Sequence, residues 1–364
     1  MSFGRLADKI GPLVRKPLAI AAALIALLAM TWEAAPAELR DRPALQPPGV
    51  EPSGPRGGFV IGAAGDIACP SDPNGPGSPG ACQYDDTADL IVGTGLDRIL
   101  PLGDNQYDVG AFAAFMKYFD PTWGREFEHM SPVPGNHEHG QDASSRPGGY
   151  FRYFGDPVKG PHRLGYYSYD LGACPEAPCW HLVALDSMLC FAPGGCGPAT
   201  DPADPGPGNR MYRWLQRDLE KHPDSTYPCT LAYWHHPRFS FSTGSGGTAA
   251  LGPLWDLLYD AGADVVLNGH SHNYQRWRQQ DPSGNPDPER GIREFIVGTG
   301  GASLYAIPGG NWPANLVVAQ ADSFGILRIA LKAERYRWAW VTAAGQPMFE
   351  DAPDHGVACV RTGS

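Results

Sequence analysis

Short apolar runs, each followed closely by polar residues, recur along the chain. Residues 59–61 lead to Asp66, and residues 99–102 lead to Asp104. Further runs of the same kind lie at residues 182–185, 231–234 and 265–267. Short apolar runs bounded by turn residues are typical of buried strands. The pattern therefore predicts strands that each end at a polar turn.

Between these runs, apolar residues recur at the spacing of a helix. The predicted helices lie at residues 85–92, 111–119, 211–221 and 254–261. Strands that alternate with helices predict an α/β domain, in which the polar turns beyond the strand ends converge on one crevice. Residues 325–341 have the pattern of a strand pair, which indicates more than a simple parallel sheet.

The N-terminal residues 1–37 have the pattern of an export signal. Basic residues precede an apolar stretch at residues 18–30, and Ala35-Pro36-Ala37 follows it. An uncleaved membrane anchor is the alternative, but about 13 apolar residues fall short of the roughly 20 that span a bilayer. We expect cleavage after Ala37 and an exported mature chain, either periplasmic or extracellular.

The rest of the chain reads as one domain with flanking segments. Residues 38–58 are polar and rich in Pro and Gly, which predicts a linker. The chain has 364 residues and is 42% hydrophobic, which is enough for one large core over residues 59–350. Residues 351–364 form a C-terminal tail. The 46 Gly and 37 Pro concentrate between the apolar runs and predict long, structured loops.

The net charge of the chain limits the classes of partner that it is expected to bind. The chain carries 28 Lys plus Arg against 39 Asp plus Glu. This acidic balance argues against nucleic-acid binding and against a stable membrane partner, since both draw on basic surface. An acidic protein still holds phosphate where metal cations set the local field.

The eight cysteines favour disulfides, because an exported chain folds in an oxidising compartment. A zinc cluster would need Cys-x-x-Cys pairs, and the sequence has none. The spacing suggests three loop staples and one long-range pair that would tie the tail, although spacing alone does not prove the connectivity. The suggested pairs are Cys69 with Cys82, Cys174 with Cys179, Cys190 with Cys196, and Cys229 with Cys359.

Five short motifs carry side chains that bind metals. They are Gly65-Asp66, Gly103-Asp104-Asn105-Gln106-Tyr107, Gly135-Asn136-His137-Glu138, His235-His236-Pro237 and Gly269-His270-Ser271-His272. Most of them follow an apolar run, so the predicted strands would deliver them to one edge of the fold. Together they predict a two-metal hydrolase site.

Each residue type suits a particular task at such a site. A carboxylate has two oxygens, so Asp104 can bridge two cations. Tyr107 could bind Fe(III) as a phenolate, with a packed aromatic at the rim as the alternative. His270 and His272 are two residues apart and face the same side of an extended segment. Adjacent histidines face opposite ways, so only one of the pair at 235–236 is expected to be a ligand.

The motifs resemble those of the calcineurin-like metallophosphoesterases and, within them, the short, animal-type purple acid phosphatases, which lack an N-terminal sandwich domain. Ordinary members have His two residues after the first Asp, whereas Ala68 stands here and Tyr107 supplies the ligand pattern of the purple enzymes. The purple enzymes usually have Gly at the place of Ala68. The resemblance implies a four-layer α/β/β/α sandwich with a dinuclear site at the C-terminal ends of its strands.

The resemblance also implies roles for individual residues. His235 rather than His236 is the implied ligand, because in the family one residue and then Pro follow the ligand, as Pro237 does here. His137 is the implied catalytic residue, which protonates the leaving group or contacts phosphate, and His236 and His139 are expected beside the ligands. Fe(III) would be bound by Asp66, Asp104, Tyr107 and His272. A divalent Zn, Fe(II) or Mn ion would be bound by Asp104, Asn136, His235 and His270.

The function that this resemblance implies is hydrolysis of phosphate monoesters by a metal-bound hydroxide, and the expected partner is a small-molecule phosphate ester. A phosphodiesterase or nucleotidase that uses the same metals is the alternative, because pocket width rather than the ligands separates them. A non-catalytic metal- or phosphate-binding protein is a third hypothesis, which the presence of His137 disfavours. The glycine-rich residues 298–301 lack the Lys of a phosphate-binding loop, so we interpret them as a tight turn after a strand.

Overall fold

The computed structural model describes residues 57–70, 82–174, 176, 179–201, 203, 205–353 and 355–360. The predicted signal peptide and nearly all of the predicted linker lie outside these residues. Within the described part of the chain, every helix is too short or too polar to cross a membrane.

Strands and helices alternate along most of the chain, as the apolar pattern predicts. The strands are β1 (Phe59–Ala64), β2 (Arg98–Pro101), β3 (Tyr167–Leu171), β4 (Trp180–Ala184), β5 (Thr230–Tyr233), β6 (Val265–Asn268), β7 (Tyr274–Trp277), β8 (Arg293–Val297), β9 (Leu316–Gln320), β10 (Gly325–Leu331), β11 (Arg335–Thr342) and β12 (Val357–Ala358). The α-helices are α1 (Tyr84–Ala88), α2 (Phe112–Ala114), α3 (Gly148–Phe154), α4 (Pro207–Lys221) and α5 (Gly252–Asp260). Short 3-10 helices span Trp123–His129, Pro161–Arg163, Ser187–Phe191 and Ala249–Leu251, and a π-helical turn spans Phe115–Phe119.

The strands form two sheets. One has the order β12-β11-β10-β1-β2, and the other has the order β3-β4-β5-β6-β8-β7-β9. In the first sheet β1 runs parallel to β2 and antiparallel to β10. In the second sheet β4, β5, β6 and β8 are parallel neighbours. The parallel strands of each sheet therefore end at one edge, where the loops that follow them can meet.

Alternating side chains along the second sheet divide the core into two parts. Leu182 and Leu231 belong to a cluster that also contains residues of the first sheet. Val183 and Ala232, which point the other way, belong to a cluster with α4 and α5. The first sheet is covered in turn by α1 and by the π-helical turn. The predicted four-layer α/β/β/α sandwich is confirmed.

The predicted strands match the structure more closely than the predicted helices. The strand pair expected at residues 325–341 is the β10–β11 hairpin. Helix α4 begins at Pro207 rather than at residue 211, because Pro is favoured in the first turn of a helix. The helix expected at residues 85–92 ends at Ala88. The helix expected at residues 111–119 is three residues of α2 followed by a π-helical turn.

All four suggested disulfides are present. They are Cys69–Cys82, Cys174–Cys179, Cys190–Cys196 and Cys229–Cys359. The long-range pair joins the residue before β5 to the tail, and β12 of the tail pairs with β11. The Val360 N–H also donates to Asp264 Oδ1 at 2.5 Å. The C-terminal tail is thus fastened to both sheets.

Candidate metal centre

The predicted ligands lie where the parallel strands of both sheets end. Asp66 follows β1 and Asp104 follows β2 in the first sheet, while His235 follows β5 and His270 follows β6 in the second. Each sheet therefore supplies part of the centre. The sequence predicts this arrangement, because each of these residues comes shortly after an apolar run.

Four of the predicted ligands form one cluster around the Tyr107 hydroxyl. Tyr107 Oη lies 3.1 Å from Asp66 Oδ1, 3.3 Å from Asp104 Oδ2 and 2.9 Å from His272 Nε2. His272 Nε2 lies 3.2 Å from Asp66 Oδ1. All four residues are buried. The Tyr107 hydroxyl therefore points into the centre rather than lying at its rim.

The remaining predicted ligands form a second cluster that shares Asp104 with the first. His235 Nε2 lies 3.1 Å from Asp104 Oδ2 and 3.1 Å from Asn136 Oδ1. His270 Nδ1 lies 3.3 Å from His235 Nε2. The same oxygen, Asp104 Oδ2, thus contacts Tyr107 in one cluster and His235 in the other. The bridge predicted for Asp104 would thus use one oxygen, Oδ2, rather than both oxygens of the carboxylate.

Hydrogen bonds with the backbone orient the imidazoles and the carboxylates. His235 Nδ1 lies 2.9 Å from the Leu102 carbonyl oxygen, and His272 Nδ1 lies 2.7 Å from that of Ser303. A proton on each Nδ1 leaves the Nε2 lone pair facing the centre. Asp66 Oδ2 accepts the His270 N–H at 2.7 Å, and Asp104 Oδ1 accepts the N–H of residue 137 at 2.8 Å. One oxygen of each carboxylate is therefore left for the centre.

The backbone is strained at three of the predicted ligands. Asp66, Asp104 and His270 have φ angles of 60°, 48° and 65°, in the left-handed region that residues other than Gly rarely adopt. Such conformations persist only where the surrounding structure holds them. Here each strained residue lies in the turn that brings a strand end to the centre.

Two motif glycines are required by close approach. A Cβ at Gly135 would lie 2.2 Å from Asp104 Oδ1, and a Cβ at Gly103 would lie 2.7 Å from His235 Nδ1. Gly103 also has a φ angle of +85°. Each glycine therefore makes room for a predicted ligand that comes from another motif, which explains why these motifs begin with Gly.

The electrostatics of the cluster suit cations. Burial first, and then Asp66 and Asp104, raise the pKa of Tyr107 well above 10. Burial alone would lower the pKa of His235, but contact with Asp104 raises it to about 9. Burial alone would raise the pKa of Asp104, but His235 and then His137 hold it below its usual range. Protons on these side chains thus offset the negative charge of the buried carboxylates. Bound metal ions would offset the same charge.

The donor set fits a dinuclear centre. Carboxylate, phenol, amide and imidazole donors are the ligands that iron, zinc and manganese accept. These donors come from both sheets and lie in direct contact with one another. Cations at the Tyr107 cluster and at the His235 cluster would share Asp104.

His137 lies beside the Tyr107 cluster in a half-buried position. Its side chain is 19% exposed, and its Nε2 lies 3.8 Å from Asp104 Oδ2. The ring packs 4.1 Å from that of Tyr107, centroid to centroid. His137 Nδ1 contacts the Asp108 carbonyl oxygen, and the Gln141 side-chain amide lies 2.9 Å from Nε2. These contacts hold the imidazole at the mouth of the centre.

The two histidines expected beside the ligands differ in position. The His236 ring lies 4.2 Å from that of His270, and its Nδ1 lies 2.9 Å from Ser187 Oγ. His139 instead directs Nε2 at Asp186 Oδ2, 2.8 Å away, and Nδ1 at a backbone carbonyl oxygen. His236 thus lies next to a predicted ligand, whereas both ring nitrogens of His139 contact loop residues other than the predicted ligands.

Sequence reasoning gave no role to Glu138, although it lies within a motif. Glu138 Oε1 accepts the Gln106 N–H at 2.9 Å, and Oε2 accepts the Gly135 N–H at 2.7 Å. The side chain therefore fastens the Asp104 loop to the Asn136 loop. Burial, and then Asp104, raise the pKa of Glu138 to about 7.

Tyr305 is a second residue that sequence reasoning missed. Its ring stacks on that of His272, with centroids 4.0 Å apart and planes within 4°. The Tyr305 N–H donates to the His272 carbonyl oxygen at 2.7 Å. No local pattern in the sequence marks this contact, because it joins residues 33 positions apart through loop geometry alone.

The glycine-rich residues 298–301 form a packed turn, as expected. The Gly298 N–H donates to the Asn273 carbonyl oxygen at 3.1 Å, and the Gly300 N–H donates to that of Gly65 at 2.9 Å. These amides are therefore engaged by the protein and cannot cradle a phosphate. Their role is to pack the end of β8 against the loop that carries Asp66.

The fold and the donor set together define a metallophosphoesterase. The sequence model of the Calcineurin-like phosphoesterase family matches residues 59–274, and the chain belongs to this family. The first sheet also needs β10, which lies beyond the matched residues and pairs directly with β1.

The sequence is similar to those of purple acid phosphatases. Purple acid phosphatase 15 of Arabidopsis thaliana is 30% identical over 165 residues, which cover 42% of this chain and 27% of the relative. Acid phosphatase type 7 of Homo sapiens is 24% identical over 263 residues, which cover 64% of this chain and 54% of the relative. The matched regions thus span about a quarter to a half of these relatives.

Solved structures agree on the fold. The purple acid phosphatase PPD1 from yellow lupin superposes with a TM-score of 0.62 at 16% identity, covering 81% of this chain and 53% of that one. GAP50, the anchor in the inner membrane complex of Plasmodium, superposes with a TM-score of 0.59 at 12% identity, covering 84% and 90%. At such low identities the likeness concerns the fold alone.

Proposed function

We propose that the chain is an exported, metal-dependent phosphatase that hydrolyses phosphate monoesters at an Fe(III)/divalent centre. One observation carries the proposal. Tyr107 Oη lies within 3.3 Å of Asp66, Asp104 and His272, where a phenolate ligand to Fe(III) would have to be. The similarity to purple acid phosphatases supports the same choice.

The proposed Fe(III) ligands are Asp66, Asp104, Tyr107 and His272, and the proposed ligands of the divalent ion are Asp104, Asn136, His235 and His270. When bound, the two cations would supply Lewis acidity toward water and toward the phosphoryl oxygens. The chain prepares the site for them by burying the donors and by directing the Nε2 atoms of His235 and His272 inward.

His137 is the proposed source of the proton for the leaving group. Hydrolysis breaks the bond between phosphorus and the ester oxygen, and that oxygen must gain a proton to leave as an alcohol. His137 is close to the centre yet partly exposed, so its imidazole can give that proton and regain one from solvent. The backbone contact with Asp108 and the packing against Tyr107 keep the ring in place.

The disulfides support export. Four disulfides in the described residues are typical of proteins that fold outside the cytosol. Periplasmic or extracellular location therefore remains the proposal for the mature chain.

The test is turnover of 4-nitrophenyl phosphate and of its matching diester, bis(4-nitrophenyl) phosphate, each with and without a chelator. We expect chelator-sensitive turnover with preference for the monoester. Asp104→Asn should lose metal and turnover together, because it removes the shared carboxylate. Asp256→Asn, at an exposed position on α5, is the matched control and should retain both.

The outcomes separate the hypotheses. Preference for the diester would move the assignment to a phosphodiesterase, and full activity of Asp104→Asn would refute the bridging role. Turnover that persists in metal-free protein would refute the proposed chemistry. Phenolate coordination adds a visible charge-transfer band, so a colourless iron-loaded protein would contradict the role of Tyr107.

A further inference from the structure

We propose that Phe191 is a platform on which a planar, ring-bearing leaving group stacks, so that the preferred substrates are phosphate monoesters of the nucleoside or aryl class. This inference rests on the proposed phosphatase function. It concerns a residue outside all five metal-binding motifs, in the loop that follows β4.

The Phe191 ring is exposed although the residues before it are buried. Phe191 is 44% exposed, whereas the other four residues of the 3-10 helix Ser187–Phe191 are buried. Exposure of a large aromatic side chain forfeits the hydrophobic gain of burial. The helix thus presents one apolar ring to solvent from an otherwise packed base.

The exposed ring lies on the side of the proposed divalent site. The centroid of Phe191 lies 4.8 Å from that of His236, and the His236 ring lies 4.2 Å from that of the proposed ligand His270. Two ring-to-ring steps therefore separate Phe191 from the metal-binding imidazole. A sugar that carries a planar base, with its phosphate at the centre, has the length to cover this distance.

Several contacts fix the segment that carries Phe191. Asp186 Oδ1 accepts the Met188 N–H at 3.1 Å and caps the 3-10 helix. Ser187 Oγ accepts the His236 N–H at 3.1 Å and lies 2.9 Å from Nδ1 of the same residue. The Cys190–Cys196 disulfide closes the loop on the other side of Phe191.

This rigidity matters for binding. A ring that is already held in place loses little conformational entropy when a ligand stacks on it. Stacking of a base on an aromatic side chain changes binding roughly 5- to 100-fold when the ring is removed. Phe191 therefore has the exposure, the position and the restraint that a specificity-determining residue needs.

The experiment compares adenosine 5′-monophosphate with ribose 5-phosphate. Both release the same type of ribose C5 hydroxyl, so leaving-group chemistry is matched and the base is the main difference. We expect Phe191→Ala to lower kcat/KM for the nucleotide roughly 5- to 100-fold, mainly through KM, and to leave ribose 5-phosphate nearly unchanged. Phe191→Tyr keeps the ring and should restore most of the nucleotide activity.

Two further measurements separate stacking from a structural role. Val109→Ala is the control, because Val109 is a 58% exposed apolar residue that follows Asp108, the residue in contact with His137. This variant should change kcat/KM equally for both substrates. Adenosine, the product, should inhibit the wild type more strongly than ribose does, and Phe191→Ala should weaken the inhibition by adenosine alone.

The results that overturn the inference are distinct from those that overturn the function. If Phe191→Ala lowers kcat/KM equally for both substrates, or changes the metal content, the ring only shields the centre and the inference fails. If the wild type turns over ribose 5-phosphate as well as the nucleotide and adenosine does not inhibit, the inference also fails while the phosphatase stands. If neither compound nor 4-nitrophenyl phosphate is hydrolysed, the proposed function itself fails, and the inference fails with it.

Discussion

Removal of the long-range disulfide should destabilise the protein far more than removal of a short-range one. Cys229 and Cys359 are 130 residues apart in sequence, whereas Cys174 and Cys179 are 5 residues apart. In each pair one cysteine is buried and the other is half-buried. The two double-Ser variants therefore differ mainly in the length of loop that the disulfide closes.

The chain-entropy relation gives the expected magnitudes. A loop of 130 residues corresponds to about 5 kcal/mol of unfolded-state entropy at 25 °C, and a loop of 5 residues corresponds to about 2 kcal/mol. The other four cysteines lie outside both loops, and neither loop contains a cysteine of the other, so no other disulfide shortens either of them. The free energy of unfolding should thus fall by about 3 kcal/mol more for the long-range pair.

The assay is urea-induced unfolding of the wild type and of both double-Ser variants, followed by circular dichroism and by tryptophan fluorescence. Coincident transitions by the two probes would justify a single free energy of unfolding for each protein. A loss for Cys229→Ser/Cys359→Ser that does not exceed the loss for Cys174→Ser/Cys179→Ser would refute the entropy argument. It would also show that the β12 pairing and the Asp264 contact alone hold the tail.

Two histidines give further predictions. His137→Asn should lower kcat about 10²- to 10⁴-fold for an alkyl phosphate but less for 4-nitrophenyl phosphate, whose leaving group needs no proton; equal losses in steady-state assays would indicate phosphate contact instead. At His181, burial alone would lower the pKa, but hydrogen bonds with Asp170 and Asp218 raise it. The resulting stability should be fully present below about pH 6.5 and lost as pH rises through the raised pKa. The urea midpoint should change less with pH over this range in His181→Gln than in the wild type. The exposed control His355→Gln should show the same pH dependence as the wild type. Equal pH dependence in His181→Gln and the wild type would contradict the assignment.

Much of the centre could be predicted from the sequence because its residues follow strand ends. An apolar run fixes where a strand ends, and the parallel strands of a sheet end at one edge. Asp66, Asp104, His235 and His270 therefore come together as a direct result of the chain pattern. The strand pair at residues 325–341 could be predicted for a similar reason, since β11 alternates exposed and buried residues with period two.

The parts that sequence reasoning missed depend on loops. The position of the 3-10 helix with Phe191 depends on the contact of Ser187 with His236, which is 49 residues away. Tyr305 stacks on His272 from a loop without regular structure. Helix α1 ends at Ala88, earlier than its apolar spacing predicts, and the N–H groups of Leu90 and Ile91 donate to carbonyl oxygens three residues back rather than four.

The close packing of Gly103 and Gly135 determines what could be moved to another protein. A Cβ at either position would collide with a predicted ligand from a different motif, so the motifs fit together only because these two side chains are absent. A graft that carried only the seven donor residues onto a new scaffold would bring side chains without the clearance they need. The smallest portable unit of this centre is therefore the donors together with the empty space that these two residues leave beside them.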